Sequence, residues 1–154
     1  TCSLVMTNPR PAEQDLGKYY ISEEYISHTS KANNLVNQLY MVARRFTLKQ
    51  KKKLASDLFP KKGKLLDIGC GTGDFLKTCA EDGWNVTGVE PGEQPRSLAE
   101  GKGIKAYSEV NDVNDRFSFI TLWHVLEHVP DLDATLNKIY SLLEADGKLL
   151  IAVP

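Results

Sequence analysis

The sequence of 154 residues lacks several features that would place it in a specialised class of protein. It has three cysteines, Cys2, Cys70 and Cys79, and no C-x-x-C pair. This odd, scattered set argues against a disulfide framework and indicates reduced thiols, so cytoplasm is the expected localisation. No stretch reaches the roughly 18–20 apolar residues of a membrane span. We also expect no secretory leader.

The sequence also has little net charge. Its 19 basic and 20 acidic residues give a net charge of −1 at pH 7, which indicates no overall attraction for nucleic acid or for anionic lipid. Apolar residues make up 42% of the chain, enough to bury a core without the help of a metal or a disulfide. We therefore expect a globular protein of ordinary composition.

The chain changes character near Pro60, and we divide it there. Before this proline, apolar residues at helical spacing predict a helix over residues 31–58, with a possible break near Thr47. The helix should end before Pro60, because a residue ahead of proline avoids the α region. We assign residues 1–60 to a lead-in and helical cap, and residues 61–154 to the main domain.

Short apolar runs alternate with helical patterns after Pro60. Strands are predicted over residues 64–68, 85–90, 104–107, 117–123 and 148–153. Helices are predicted over residues 74–82 and 93–102, and from a cap at Asp131 to Gly147. This order predicts βαβ units and an α/β fold, a Rossmann-like, doubly wound parallel sheet. Such sheets bind ligands beyond the carboxyl ends of their strands.

A glycine-rich loop, with Gly69, Gly71 and Gly73, stands between the first predicted strand and its helix. Glycine allows a left-handed backbone and lets a ligand approach the chain closely. A dinucleotide fingerprint would need its third glycine at position 74, where the sequence has Asp74. A carboxylate at a helix N-terminus disfavours phosphate, so we expect no tight binding of NAD or ATP. A P-loop is also excluded, because no Gly-Lys-Ser/Thr follows.

Two acidic residues flank the glycine-rich loop. Asp67, at the end of the first strand, could attract an ammonium or a sulfonium group. Glu90 ends the next strand, where carboxylates bond to the hydroxyls of a ribose. Together they favour a ligand that combines a nucleoside, a sulfonium and an amino acid without phosphate. An ordinary glycine turn beside a surface glutamate remains the alternative.

Four stretches of the sequence resemble the class I S-adenosylmethionine-dependent methyltransferases. Residues 64–75 resemble the first motif of that family, and Gly88-Val89-Glu90-Pro91 resembles the second. Residues 117–131 resemble the fourth-strand motif of the ubiquinone-biosynthesis-type O-methyltransferases, and residues 142–154 the helix and strand that follow it. The resemblance covers about residues 60–154.

The resemblance implies S-adenosylmethionine as the cofactor and a small molecule as the methyl acceptor. A hydroxyl is the expected nucleophile, and nitrogen and carbon stay open as acceptor atoms. It implies cofactor contacts from Asp67, Gly69, Cys70, Gly71, Gly73, Glu90, Pro91, Ser108, Glu109, Val110, Trp123 and His124. Ser108 departs from the pattern, because the family often has Asp there. Family members usually carry two more strands after the fifth, so the domain is expected to be incomplete at its C-terminus and its activity stays open.

His124 and His128 follow the fourth strand and are the candidate catalytic bases. The alternative is that both only pack and bond to the backbone. With Glu127 they spell H-x-x-E-H, a pattern also found in some zinc peptidases, but Pro130 comes too early for the long helix that such a site needs. We assign no metal ligand, although a divalent metal that assists O-methylation remains a second possibility.

The N-terminal part offers two further candidates. Tyr20, Tyr25 and His28 could form a lid over the cofactor, or a segment that docks on the sheet. Basic residues cluster over residues 44–64, which keeps open an RNA-binding or RNA-modifying function. A solvated helix face is the commoner explanation of such a cluster. We therefore expect neither nucleic acid nor a membrane as a partner, and the oligomeric state stays open.

Overall fold

The computed structural model describes the backbone of residues 35–154 and the side chains of residues 41–154. The helices are α1 (Leu35–Leu58), α2 (Asp74–Glu81), α3 (Glu93–Glu100) and α4 (Leu132–Leu142). The strands are β1 (Lys64–Ile68), β2 (Asn85–Val89), β3 (Lys105–Tyr107), β4 (Phe117–Trp123) and β5 (Leu143–Ala152). None of the helices within residues 35–154 has both the length and the apolar character of a membrane span.

The strands form one parallel sheet in the order β3-β2-β1-β4-β5. The chain moves outward from β1 to β3, then returns to the other side of β1 to form β4. The strand order thus reverses between β1 and β4, which opens a crevice at their carboxyl ends. The predicted Rossmann-like, doubly wound α/β fold is confirmed.

The two central strands are buried on both faces, which explains their nearly continuous apolar sequences. Leu65 and Phe119 point into a cluster that is completed by residues of α1, α2 and α3. Leu66 and Ile120 point to the opposite face, where Ile139 of α4 covers them. This two-sided burial holds the carboxyl ends of β1 and β4 side by side.

Helix α1 is continuous through Thr47, so the predicted break is wrong. The Thr47 hydroxyl donates to the carbonyl of Ala43 at 3.1 Å, a bond to the preceding turn that lets a β-branched polar residue stay inside a helix. The helix ends at Leu58, before Pro60, as expected. Its predicted start near residue 31 lies outside the described residues.

The predicted boundary between α4 and β5 is also wrong. Asp131 does cap α4 by accepting the Ala134 N–H at 2.9 Å, but the helix ends at Leu142, well before Gly147. Leu143 is extended and pairs with Phe117 of β4. The next pair is Lys148 with Phe119, so the residues between Leu143 and Lys148 bulge out of the strand. Pairing with β4 therefore overrides the helical pattern of the sequence.

Gly88 of β2 lies where the strand passes closest to the glycine-rich loop. An added Cβ would stand 2.5 Å from Cys70 Sγ and 3.1 Å from Leu76 Cδ1. We expect Gly88→Ala to lower the free energy of unfolding by about 1–3 kcal/mol, as overpacking usually does. Urea denaturation measures this change. Gly101→Ala is the control, because its Cβ would meet no atom closer than 3.4 Å; equal losses in both variants would contradict the close approach.

Candidate functional site

A cavity of about 230 Å³ lies at the crevice between the carboxyl ends of β1 and β4. Helix α1 forms one wall, and the glycine-rich loop with the start of α2 forms the other. Its lining residues are Arg44, Thr47, Leu48 and Lys51 of α1, Asp67 of β1, Gly69, Cys70, Gly71 and Thr72 of the loop, Asp74 and Phe75 of α2, and Trp123 of β4. The cavity therefore lies where the sheet topology predicts a ligand site.

The glycine-rich loop has the conformation for which glycine is suited. Gly69, Gly71 and Gly73 have φ angles of 75°, 53° and 74°, all left-handed. The N–H groups of Gly69 and Cys70 donate to the carbonyl of Val89 at 2.8 and 3.0 Å. These bonds fix the loop to the end of β2, so the loop backbone forms a defined edge of the crevice.

Glu90 connects the glycine-rich loop to the end of β2. Its Oε2 accepts the N–H of Gly71 and its Oε1 accepts the N–H of Gly92, both at 2.9 Å. The guanidinium of Arg96 donates to the carbonyl of Glu90 at 2.9 Å. Each carboxylate oxygen can still accept a second hydrogen bond. The structure thus holds Glu90 beside the loop and leaves its carboxylate able to accept further hydrogen bonds.

The side chain of Asp67 lines the cavity and is buried, with 3% of the residue's surface exposed. The hydroxyl of Thr121 on β4 donates to its Oδ1 at 2.6 Å. Burial raises the pKa of Asp67 to about 7, and the negative charge of Glu90 adds to this rise. The hydrogen bond from Thr121 and the positive charge of Lys51 act in the opposite direction. Shifts of this kind are concentrated at functional sites, because they set how a group handles charge.

Lys51 is a site residue that our sequence-based reasoning missed. Its Nζ lies 4.2 Å from the centre of the Trp123 ring, a cation–π distance. Burial lowers the pKa of Lys51, and the charge of Asp67 opposes this effect. Arg44, Thr47 and Lys51 share one face of α1 by their spacing, and this pattern was the available signal. From the sequence we assign Arg44 and Lys51 only to a basic cluster and Thr47 only to a possible helix break.

Asp74 does not present the free negative charge that we expected. Its carboxylate pairs with Arg44 and with Lys102, whose Nζ lies 2.7 Å from Oδ1. Burial raises the pKa of Asp74, but hydrogen bonds from Lys102 and Thr72 and the charge of Arg44 outweigh it and hold this pKa below the usual value. The exclusion of phosphate therefore does not follow from the charge of Asp74 alone.

His124 has an unusual backbone at the end of β4. Its φ is 58°, a left-handed value that is uncommon for a residue other than glycine, and its N–H donates to the Ala152 carbonyl at 2.8 Å. The imidazole is exposed, with Nδ1 3.9 Å from Glu127 Oε1. The bond to β5 holds this strained residue at the rim of the crevice. Strain of this kind is often found at functional sites.

The H-x-x-E-H segment forms a single 3₁₀ turn, Leu126–His128, rather than the helix that a peptidase site requires. Neither His124 nor His128 lines the cavity. Within residues 41–154, no group of three or more His, Cys, Asp or Glu side chains is arranged to hold a metal ion.

The structure brings some of the predicted cofactor residues together and leaves others apart. Asp67, Gly69, Cys70, Gly71 and Trp123 line the cavity. Gly73, Glu90, Pro91, Ser108, Glu109 and Val110 do not. The last three follow β3, whose Tyr107 carbonyl accepts the Glu90 N–H at 2.9 Å, so they extend the same edge of the sheet. Tyr20, Tyr25 and His28 lie outside the described residues.

Five of the nine basic residues in the cluster of residues 44–64 form ion pairs. Besides Arg44, its members Lys52 and Lys62 pair with Asp82, Lys53 pairs with Asp57, and Lys64 pairs with Asp115. Because Lys52 and Lys62 share one carboxylate, these pairs lower the positive charge that the cluster offers to the phosphates of a nucleic acid but do not cancel it.

Three comparisons bear on this geometry. The model of a family described as "Methyltransferase domain" matches residues 41–154. The chain is 29% identical over 100 residues to a ubiquinone biosynthesis O-methyltransferase of Pseudomonas entomophila, and 31% identical to that of Aeromonas salmonicida. Each match covers 58% of this chain. The chain spans 43% and 42% of the length of these two relatives, less than half of each.

Solved structures share the fold. The magnesium protoporphyrin IX methyltransferase of Synechocystis PCC 6803, solved with bound S-adenosylmethionine, superposes with a TM-score of 0.65. It is 18% identical, and the match covers 90% of this chain and 75% of that one. At this identity the likeness concerns the fold alone.

The buried Asp67 predicts an unusual dependence of stability on pH. The folded protein keeps the Asp67 proton up to about pH 7, whereas the unfolded chain loses it near the ordinary aspartate pKa of 3.8. Stability should therefore fall as pH rises between these values. Asp67→Asn removes this effect and should be the more stable protein at pH 8 by roughly 2–4 kcal/mol, with little difference near pH 4.

Chemical denaturation at several pH values measures this difference. Asp146→Asn is the matched control, because Asp146 is exposed and should give a flat difference. A flat difference for Asp67→Asn as well would contradict the raised pKa of Asp67.

Proposed function

Because the chain belongs to the class I S-adenosylmethionine-dependent methyltransferases, we propose that it transfers a methyl group from S-adenosylmethionine to a small-molecule acceptor, with a hydroxyl as the nucleophile. The names of the relatives from Pseudomonas and Aeromonas support an oxygen acceptor. The reducing environment suggested by the scattered cysteines supports a cytoplasmic localisation.

The position of Glu90 carries this proposal. Its carboxylate stands at the end of β2, beside a glycine-rich loop with left-handed backbone, and each of its oxygens keeps acceptor capacity. This arrangement suits the two neighbouring hydroxyls of a ribose. Asp67 and Trp123 face the same crevice and suit the cationic part of the ligand. The residues present therefore fit S-adenosylmethionine.

The bound cofactor would supply an electrophilic methyl carbon on a positively charged sulfur. The chain would contribute mainly position, by holding the nucleophile in line with that carbon. We assign to His124 the role of accepting the proton of the acceptor hydroxyl, because its imidazole is exposed at the rim of the crevice. His128, on the adjacent turn, is the second candidate for this role.

Residues 1–60 are proposed to form a cap over the core of residues 61–154. The support is that Arg44, Thr47 and Lys51 of α1 already close one side of the cavity. Tyr20, Tyr25 and His28 are proposed to extend this cap as a lid over the cofactor.

Glu90 gives the first test. We expect Glu90→Ala to weaken the binding of S-adenosylmethionine by about 1–3 kcal/mol, the loss that is usual for hydrogen bonds to a charged group. Titration calorimetry measures this affinity. Glu100→Ala is the control, because Glu100 is an exposed glutamate at the end of α3. The same affinity in wild type and Glu90→Ala would remove Glu90 from the site.

His124 gives the second test. Asparagine tolerates a left-handed backbone, so His124→Asn should keep the fold while it removes the base. On a hydroxylated acceptor we expect turnover to fall by about 10²–10⁴-fold, with cofactor affinity unchanged. His128→Asn, measured in parallel, distinguishes the two candidates. If both variants kept wild-type turnover on an acceptor that the wild type methylates, neither histidine would be the base.

A further inference from the structure

The crevice contains an arrangement for holding a cation. The face of the Trp123 ring forms one side, and the carboxylate of Asp67 lies in the same cavity. Trp123 is held in place by Phe75, whose ring meets it edge-on at 5.8 Å between centres. An indole ring attracts positive charge through its electron-rich face, more strongly than Phe or Tyr. Above about pH 7, where Asp67 is ionised, its carboxylate adds a Coulomb attraction that the solvent hardly screens.

The protein places its own cation there. The Lys51 ammonium stands 4.2 Å from the centre of the Trp123 ring and is close enough to Asp67 for each charge to act on the other. Lys51 is half-buried, whereas Lys49 and Lys53 on the same helix are exposed. Burying an ammonium is costly unless it is compensated. The Trp123 face and Asp67 supply that compensation.

The presence of Lys51 leaves limited room in the cavity. Its volume of about 230 Å³ is below the roughly 300–1,000 Å³ of typical ligand pockets. A cationic group of a ligand can reach the Trp123 face only if the Lys51 ammonium leaves it. The Lys51 ammonium is able to leave the Trp123 face, because it is carried on a flexible four-carbon side chain.

The proposed function places the cationic part of the methyl donor at the Trp123 face and Asp67; resting on it, we infer that Lys51 occupies this sulfonium subsite until the donor displaces it. The donor and the ammonium compete for the same aromatic face and the same carboxylate. The demethylated product has a neutral sulfur and gains no cation–π attraction there. Lys51 therefore displaces the product more readily than it displaces the donor. This assists release of the product and makes the site prefer the donor.

The test compares Lys51→Met with the wild type. Methionine keeps an unbranched stem of similar length and removes the charge. Titration calorimetry with S-adenosylmethionine should show binding about 5- to 30-fold tighter in Lys51→Met, because the donor no longer displaces an ammonium. S-adenosylhomocysteine should tighten clearly less. Lys49→Met is the matched control and should bind both ligands as the wild type does, because Lys49 lies outside the cavity.

Two further variants complete the test. Lys51→Arg keeps a cation that can stack on the Trp123 face, so it should show none of the tighter donor binding expected of Lys51→Met. Trp123→Phe keeps an aromatic ring against Phe75 but attracts cations less, so it should reduce the preference for the donor over the product. Thermal denaturation and near-ultraviolet circular dichroism confirm that each variant is folded.

The outcomes separate the two hypotheses. If the wild type and Lys51→Met both bind neither ligand, the proposed function fails. If the wild type binds the donor and Lys51→Met binds it no more tightly, the displacement of Lys51 is refuted while the proposed function stands. Equal tightening for the donor and the product would likewise refute the sulfonium subsite, because the neutral sulfur would then compete as well as the charged one.

Discussion

The crevice depends on one constraint, the attachment of the glycine-rich loop to the end of β2. The Val89 carbonyl accepts the N–H groups of Gly69 and Cys70, and the Glu90 carboxylate accepts the N–H of Gly71. Charge-assisted bonds from N–H to carboxylate are among the stronger hydrogen bonds in proteins. They fix the glycine-rich loop to the end of β2, and the loop in turn sets the N-terminus of α2. Without this connection the loop would lose the hydrogen bonds that hold Gly69 and Gly71 to the end of β2.

Asp67 and Lys51, two ionisable groups inside the crevice, have no evident benefit for the stability of the folded protein. Burial raises the pKa of Asp67 and lowers the pKa of Lys51, so each is disfavoured in its ionised form. An apolar pair of similar volume would often be no less stable. Their retention is better explained by binding, since a buried carboxylate and an aromatic face together attract a cation that water would otherwise solvate.

Most of the fold followed from local patterns. Continuous apolar runs identified β1 and β4, and the glycines with Glu90 identified the edge of the sheet that holds the cavity. The boundary of α4 could not be predicted in this way, because Leu143 suits the helix and its extended conformation depends on pairing with Phe117. The charge of Asp74 was misjudged for a similar reason, because Arg44 and Lys102 are far from it in sequence.

The sequence by itself determined the order of the elements, the position of the glycine-rich loop and the acidic residues at the ends of β1 and β2, because these depend on neighbours along the chain. The tertiary structure decided which charges meet. Only the packing of α1 against the sheet brings Lys51 onto the face of Trp123, which is 72 residues away in sequence. Only burial between β1 and β4 changes the pKa of Asp67. Both effects depend on distance and solvent exclusion, and a linear sequence contains neither.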